Sequence, residues 1–187
     1  MSSDIRKARD VALLDRLDAC ARETFDGEVW RVVRGGRDPL LGHASVGRWS
    51  EGRFDALYTS FERETALAEI FALLTAQPVF PSKSSFFAHR LRVRATRILR
   101  LPDDASLAHL GIDVAGYRER RYAKTQEVGD AAYFLDFQAI VAPSARRAGA
   151  NLVLFTEKFE PQALSLIDSD KAPIDWQAYR ATHQSSP

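Results

Sequence analysis

The segment "GRWSEGRFDALYTSFERETALAEIFALL", residues 47–74, contains the change from loop to strand to helix that decides the fold. Its glycine-rich, polar start predicts a loop, "ALYTS" predicts a short strand, and the alanine- and leucine-rich remainder predicts a helix that stops at Pro78. "TSFE" has the threonine, two spacers and glutamate of a capping box, which places the start of the helix near Thr59. Within this helix one acidic residue, Glu69, lies among alanines, and its place there requires an explanation.

Glu69 lies off the apolar stripe of this helix. At about 100° per residue, one face of the helix collects Leu67, Ile70, Phe71 and Leu74. The residues around Glu69 on the other side are mostly small, which would let another backbone or a ligand come close. The alternative interpretation of Glu69 is a solvated surface carboxylate, and the helix pattern alone does not decide between the two.

The residues before this segment predict a helix, a strand and a long loop. Apolar residues at helical spacing follow a possible capping cluster of Ser2, Ser3 and Asp4 and predict a peripheral helix within residues 1–25. "EVWRVVRG" is β-branched and aromatic and predicts a strand that delivers Arg31 to a loop. An irregular stretch as long as residues 35–54 is more often a binding loop than a simple connection.

The residues after the segment predict a mixture of strands and helices. "HRLRVRATRILRLP" alternates apolar residues with arginines and predicts a strand with one buried and one basic face. Two helices are expected in "DASLAHLGI" and "TQEVGDAAYFLDF", strands in "QAIVAPSA" and "NLVLF", an edge strand in "ALSLID", and a frayed tail in "THQSSP". The elements lack the regular alternation of a doubly wound sheet. We therefore predict an α+β class, with a single domain built on a mixed central β-sheet and flanking helices.

The composition sets limits on partners and compartment. The 187 residues include 26 basic and 25 acidic residues, so a net charge of +1 provides no overall field for nucleic acid or an anionic membrane. A single cysteine, Cys20, cannot form an intramolecular disulfide and fits a reducing compartment. The amino terminus is interrupted by charges and no later stretch is apolar enough to span a bilayer, which predicts a cytoplasmic protein.

Most of the familiar catalytic and binding motifs are absent from the sequence. His43, His89, His109 and His183 are scattered without the ligand spacing of a zinc site, so we expect no metal. No Gly-x-Ser-x-Gly elbow, complete dinucleotide fingerprint or Walker A lysine is present. What remains is a set of separated residues, each of which also has an ordinary structural interpretation: Arg31, Arg48, Tyr58, Glu69 and Ser144.

Taken in order, these residues resemble the RES domain family, which is named for an arginine, a glutamate and a serine. The likeness runs from "VWRVVRG" through "GHASVGRW", "ALYTS" and "TALAE" to "VGDAAYFLDFQAIVAPSARRAGANLVLF". On this resemblance the domain spans residues 26–187, after a helical segment at residues 1–25. One departure is Ser50, since "GRW" is more often followed by asparagine in the family.

The resemblance implies an ADP-ribosyltransferase-like fold and assigns roles to named residues. Arg31 matches the family arginine, Glu69 the glutamate in "TALAE" and Ser144 the serine in "APSA". Arg48 and Tyr58 match further pocket residues, and Asn151 would add a neutral hydrogen bond. Glu69, Arg31 and Tyr58 are the expected catalytic residues; the residues expected to hold NAD are Arg31, Arg48, Tyr58, Ser144 and Asn151.

RES proteins are known as toxins of bacterial toxin–antitoxin modules that consume NAD by hydrolysis or phosphorolysis. The resemblance therefore implies NAD as a substrate, no metal, and an Xre-like antitoxin encoded as a separate chain. A mono-ADP-ribosyltransferase that modifies a cellular protein is the alternative within the family. Whether water, phosphate or a protein accepts the ADP-ribose stays open, as does the oligomeric state, with a homo-oligomer among the options.

Two interpretations from other functional classes compete with this one. A nucleic-acid-binding module could use the arginine face of "RLRVRATRILR", but the near-zero net charge and the scarcity of interleaved aromatic residues argue against it. The second competing interpretation is an interaction protein without catalytic activity. We expect no direct contact with nucleic acid or membrane.

Overall fold

A computed structural model describes residues 8–183 of the chain. This part of the protein contains one six-stranded sheet with helices around it and a small hairpin whose two strands have two residues each. The predicted α+β class is therefore confirmed. The elements, in chain order, are α1 (Val11–Asp18), β1 (Glu23–Arg34), β2 (Val46–Gly47), β3 (Ser50–Glu51), β4 (Ala56–Ser60), α2 (Arg63–Thr75), β5 (Phe86–Arg100), α3 (Asp104–His109), α4 (Val114–Arg118), α5 (Ala123–Phe134), β6 (Ala139–Pro143), β7 (Ala150–Phe155), β8 (Leu164–Ser169) and α6 (Trp176–His183).

Five of the six strands of the main sheet pair in a closed circuit. β1 pairs with β5, β5 with β6, β6 with β7, β7 with β4, and β4 again with β1 through Trp30 and Ser60. The β5–β6 pair is parallel and the other pairs are antiparallel, which makes the sheet mixed. β8 adds to the outer edge of β5, as the edge-strand prediction required.

The long strand β5 shows why the sequence alternates there. Leu91, Val93 and Ala95 are buried in the core, whereas the intervening arginines lie on the outer face. On that face Arg92 pairs with Asp26 of β1 at 2.6 Å, and a similar pair joins Arg90 to Glu28 at 3.3 Å. The arginine face is thus partly neutralised by the neighbouring strand, which weakens the nucleic-acid interpretation further.

The structure corrects one predicted helix start and shows the cap of another helix at Asp10. α1 begins at Val11, where the Asp10 carboxylate accepts a hydrogen bond from the Leu13 N–H; the cluster of residues 2–4 that was expected to cap it lies outside the described residues. The capping box at Thr59 is wrong, because Thr59 lies inside β4 and its buried hydroxyl donates to the Leu152 carbonyl at 2.6 Å. The N-cap of α2 is Glu62, which makes no side-chain capping bond.

The remaining predicted elements are present, with shifted ends. Glu62 precedes α2, which ends at Thr75, two residues before the predicted end at Gln77. The short helix α4 was not predicted from the sequence. The frayed tail falls mostly beyond residue 183, outside the described residues. None of the helices within residues 8–183 is long and apolar enough to cross a membrane.

Candidate active site

A cavity of about 440 Å³ opens between β1, β4, α2 and the loop of residues 35–54. Five of the six residues predicted for the site line this cavity: Arg31, Arg48, Tyr58, Glu69 and Asn151. Ser144, the sixth, contacts Glu69 directly instead of lining the cavity wall. Segments that are far apart in the sequence therefore converge on one cleft, as the resemblance required.

Glu69 is held by two side chains at one oxygen. The Ser144 hydroxyl donates to Glu69 Oε1 at 2.7 Å, and Asn151 Nδ2 donates to the same oxygen at 2.8 Å. The Ser60 hydroxyl in turn donates to Asn151 Oδ1 at 2.7 Å, which orients the amide so that its NH₂ group faces Glu69. No described residue donates to Glu69 Oε2. The carboxylate is fixed in place while one oxygen keeps its capacity to accept from a ligand.

The sheet register brings these side chains together. Asn151 on β7 pairs with Ser60 on β4 and with Ala142 on β6, so the ends of three strands meet at this point. The turn between β6 and β7 then lies against α2 because Gly149, at φ 135°, has no side chain. A Cβ there would come within 2.6 Å of Thr65 Oγ1. A larger residue at position 149 would push the turn that carries Ser144 away from Glu69.

Arg31 extends from β1 and is bound to the long loop. Its Nη1 donates to the main-chain carbonyls of Pro39 at 2.9 Å and Leu41 at 3.0 Å. No carboxylate among residues 8–183 forms an ion pair with it. Burial lowers the pKa of Arg31 to about 10, so the side chain remains cationic at neutral pH. Its Nε and Nη2 have no described hydrogen-bond partner and can bind an anion.

Arg48 lies between two aromatic rings. Its guanidinium carbon is 4.5 Å from the ring centre of Tyr117 and 5.0 Å from that of Tyr122. Its Nη1 donates to the main-chain carbonyls of Tyr117 and Glu119. The α4–α5 segment therefore holds Arg48 through two aromatic rings and two main-chain carbonyls. No described carboxylate forms an ion pair with Arg48.

Helix α5 and Tyr58 hold the loop that carries Arg48. Gln126 Nε2 donates to the Gly47 carbonyl at 2.8 Å, and the Trp49 N–H donates to the Tyr58 hydroxyl at 3.1 Å. Gly129 allows this packing, since a Cβ there would lie 1.9 Å from the Trp49 carbonyl oxygen. Burial raises the pKa of Tyr58 to about 12, so its hydroxyl stays neutral.

Ser50, the departure from the family pattern, fits this loop. Its side chain is buried, and its hydroxyl accepts a hydrogen bond from the Gly52 N–H at 3.0 Å. Gly52 has φ 88°, the left-handed region in which glycine is favoured. The serine thus stabilises the turn at the end of β3, and Arg48 keeps its place in the cavity.

The structure adds site residues that the sequence reasoning missed. Ser60 ends the strand "ALYTS" and supports Asn151, and the cavity lining also includes Arg37, His43, Tyr122 and Arg146. Ser60, His43 and Arg146 lie within the quoted family motifs and could have been found there; Arg37 and Tyr122 lie outside them. Within the residues that the structure describes, no group of three or more His, Cys, Asp or Glu residues is placed to hold a metal ion.

Comparison with known proteins identifies relatives over nearly the whole chain. The sequence model of the RES domain matches residues 28–177. The chain is 25% identical over 183 residues to the NAD(+) phosphorylase MbcT of Mycobacterium tuberculosis, covering 94% of this chain and 98% of that protein. It is 28% identical over 143 residues to a probable NAD(+) phosphorylase of the same organism, covering 73% of this chain and 68% of that one.

A solved structure shares the fold. A chain in the crystal structure of the M. tuberculosis MbcT–MbcA toxin–antitoxin complex superposes with a TM-score of 0.82 at 22% sequence identity. The match covers 95% of this chain and 100% of that chain. The architecture described above is therefore that of an established fold.

Proposed function

Because this chain belongs to the RES domain family, we propose that it depletes NAD by cleaving the bond between nicotinamide and ribose, as the toxin of a toxin–antitoxin pair. The observation that carries the proposal is the Glu69 carboxylate. It is fixed at one oxygen by Ser144 and Asn151 inside a cavity that two arginines also line. A negative charge so placed, beside groups suited to phosphate, matches the needs of this reaction.

Breaking the nicotinamide glycosidic bond develops positive charge on the ribose. A fixed carboxylate next to that sugar stabilises the charge and accepts a hydrogen bond from a ribose hydroxyl. Glu69 takes this role through Oε2, while Ser144 and Asn151 hold it at Oε1. Nicotinamide leaves as a neutral molecule from a cationic ring, so the site needs no strong general acid.

The other site residues bind and orient the dinucleotide. Arg31 and Arg48 each use Nη1 for main-chain carbonyls and retain further N–H groups for the pyrophosphate. Tyr58 lines the cavity as a neutral aromatic platform for the nicotinamide ring. Orientation by these groups lowers the entropic part of the barrier.

We assign phosphate as the favoured acceptor of the ADP-ribose, because both relatives above are named NAD(+) phosphorylases. Water is the competing acceptor. The partner we propose is a separate antitoxin chain of Xre-like type. A toxin–antitoxin complex among the structural relatives supports a partner of this general kind. We also propose that the fold is ADP-ribosyltransferase-like.

The test is to incubate the purified protein with NAD, with and without phosphate, and to follow nicotinamide by chromatography and the sugar product by mass spectrometry. We expect nicotinamide release together with ADP-ribose phosphate when phosphate is present. Absence of nicotinamide release would refute the proposal. A covalently ADP-ribosylated protein, in place of either free product, would instead establish the mono-ADP-ribosyltransferase alternative.

A further inference from the structure

The charge of the cavity exceeds what the dinucleotide needs. Among the described residues that line it, four arginines face a single carboxylate, Glu69. The pyrophosphate of NAD carries two negative charges and its nicotinamide ring one positive charge. Two arginines suffice to bind the pyrophosphate, so the cavity retains cationic groups for a second anion.

Arg146 is the arginine at the Glu69 end of the cavity. Its backbone N–H donates to the Ser144 hydroxyl at 3.1 Å, and that hydroxyl donates to Glu69. Arg31, by contrast, is bound to the loop around Pro39. The backbone of Arg146 is therefore associated with the carboxylate that would face the sugar, and its guanidinium lies against the same α4–α5 segment that binds Arg48.

The guanidinium of Arg146 has capacity for a ligand. Its described hydrogen bond is a long one, from Nη1 to the Arg118 carbonyl at 3.4 Å, and no described carboxylate forms an ion pair with it. The side chain is half-buried, whereas that of the next residue, Arg147, is exposed and outside the cavity lining. A planar cation with unused N–H groups in a partly desolvated position is suited to bind phosphate.

We propose that Arg146 binds the acceptor phosphate and so decides between phosphorolysis and hydrolysis, an inference that rests on the proposed function. An oxygen of HPO₄²⁻ forms a bond to the ribose carbon that loses nicotinamide. The electron pair of the broken carbon–nitrogen bond goes to the pyridine nitrogen, and the proton stays on phosphate. The products are neutral nicotinamide and ADP-ribose phosphate. Arg146 neutralises the incoming anion, which would otherwise be repelled by Glu69.

The experiment compares Arg146→Ala with Arg147→Ala, two neighbouring arginines that differ in whether they line the cavity. We expect Arg146→Ala to raise the KM for inorganic phosphate roughly 10- to 100-fold, the usual effect of losing hydrogen bonds to a charged group. The KM for NAD should change much less. At a fixed phosphate concentration the product should shift from ADP-ribose phosphate toward ADP-ribose. Arg147→Ala should match the wild type in all three measurements.

Arg146→Lys keeps the charge without the planar fork and should lie between the wild type and Arg146→Ala in product ratio. Thermal unfolding of each variant checks that the fold is intact. An unchanged product ratio in Arg146→Ala, or a rise in the KM for NAD as large as that for phosphate, would overturn the assignment. Both results require a wild type that releases nicotinamide, so they are distinct from failure of the proposed function.

Discussion

The carboxylate and the arginines of the cavity are held in different ways. Glu69, at what we call the Glu69 end, is held by Ser144, directly after β6, and by Asn151 of β7, and both strands are paired in the sheet. Arg31 and Arg48, which we call the arginine end, are held instead by main-chain carbonyls of irregular segments, around Pro39 and around Glu119. The position of Glu69 is thus fixed mainly by regular secondary structure, and the positions of Arg31 and Arg48 are fixed by irregular segments.

From this difference we infer that Glu69 and the arginines have different roles in the reaction. A group that stabilises developing charge must be in place before the reaction, because reorganising it during the reaction adds to the barrier. Groups that hold a flexible dinucleotide can adjust as it binds. We therefore expect changes at the Glu69 end to lower kcat, and changes at the arginine end mainly to raise the KM for NAD.

The strongest test is Glu69→Gln, which removes the charge and keeps the shape. We expect nicotinamide release to fall about 100- to 1000-fold in kcat, the usual effect of losing one positioned electrostatic group. Steady-state kinetics measures it. Glu64→Gln on the same helix is the matched control, since Glu64 lies outside the cavity lining and pairs with Arg63 at the surface. Equal rates for the wild type and Glu69→Gln would remove the basis of the comparison.

The next effect is expected for Arg48→Ala at the other end. Loss of its contacts to the pyrophosphate should raise the KM for NAD roughly 10- to 100-fold, with a much smaller change in kcat. Arg53→Ala is the control, because Arg53 forms a surface pair with Glu51 at 3.2 Å. If Arg48→Ala lowered kcat as strongly as Glu69→Gln and left the KM unchanged, the two ends would not differ in the way described.

A smaller effect is expected for Gln126→Ala, which acts on Arg48 through the loop. The variant removes the hydrogen bond from Gln126 to the Gly47 carbonyl without touching the ligand. We expect the KM for NAD to rise roughly threefold to tenfold, the range for one neutral hydrogen bond, with kcat nearly unchanged. Lys124→Ala on the same helix serves as the control. A fall in kcat alone would show that α5 supports the reacting end instead.

The smallest effect concerns stability at the arginine end. His89 on β5 pairs with Arg31 across the sheet, and burial lowers the pKa of His89 below its ordinary value near 6.5, with Arg31 adding to the effect and Asp170 opposing it. The unfolded chain then binds a proton more readily than the folded one. The stabilising contribution is present above a pH of about 6.5 and is lost as pH falls toward the folded pKa.

Urea unfolding at several pH values measures this contribution. We expect the free energy of unfolding to decrease less between about pH 7 and pH 5 in His89→Gln than in the wild type. His109→Gln is the control, because His109 is exposed at the end of α3. An identical pH dependence in the wild type and His89→Gln would show that His89 makes no such contribution.

The helical pattern was sufficient to place Glu69 off the core stripe, and the structure shows that side chain in the cavity. The periodicity of "HRLRVRATRILRLP" was likewise sufficient for β5, because alternation along a strand depends only on local geometry. The capping box at Thr59 failed for the opposite reason. The sheet competes for that hydroxyl, and a tertiary contact with Leu152 prevails over the local motif.

The convergence of the site could not be predicted from spacing. Asn151 reaches Glu69 only because β7 pairs with β4 in a register that places it beside Ser60. Register depends on contacts between segments that are distant in the sequence, and only the family resemblance pointed to them. The roles assigned to these side chains stay predictions until the variants are measured.

The order of the strands along the chain also has a consequence for protein synthesis. Glu69 leaves the ribosome with α2, well before β6 and β7, which carry the residues that hold it. The circuit of strands closes only when β4 pairs with β7. These segments are far apart in the sequence, so their pairing forms slowly compared with local structure. On the proposed function, a nascent chain therefore lacks the complete site for cleaving NAD until translation has passed Asn151.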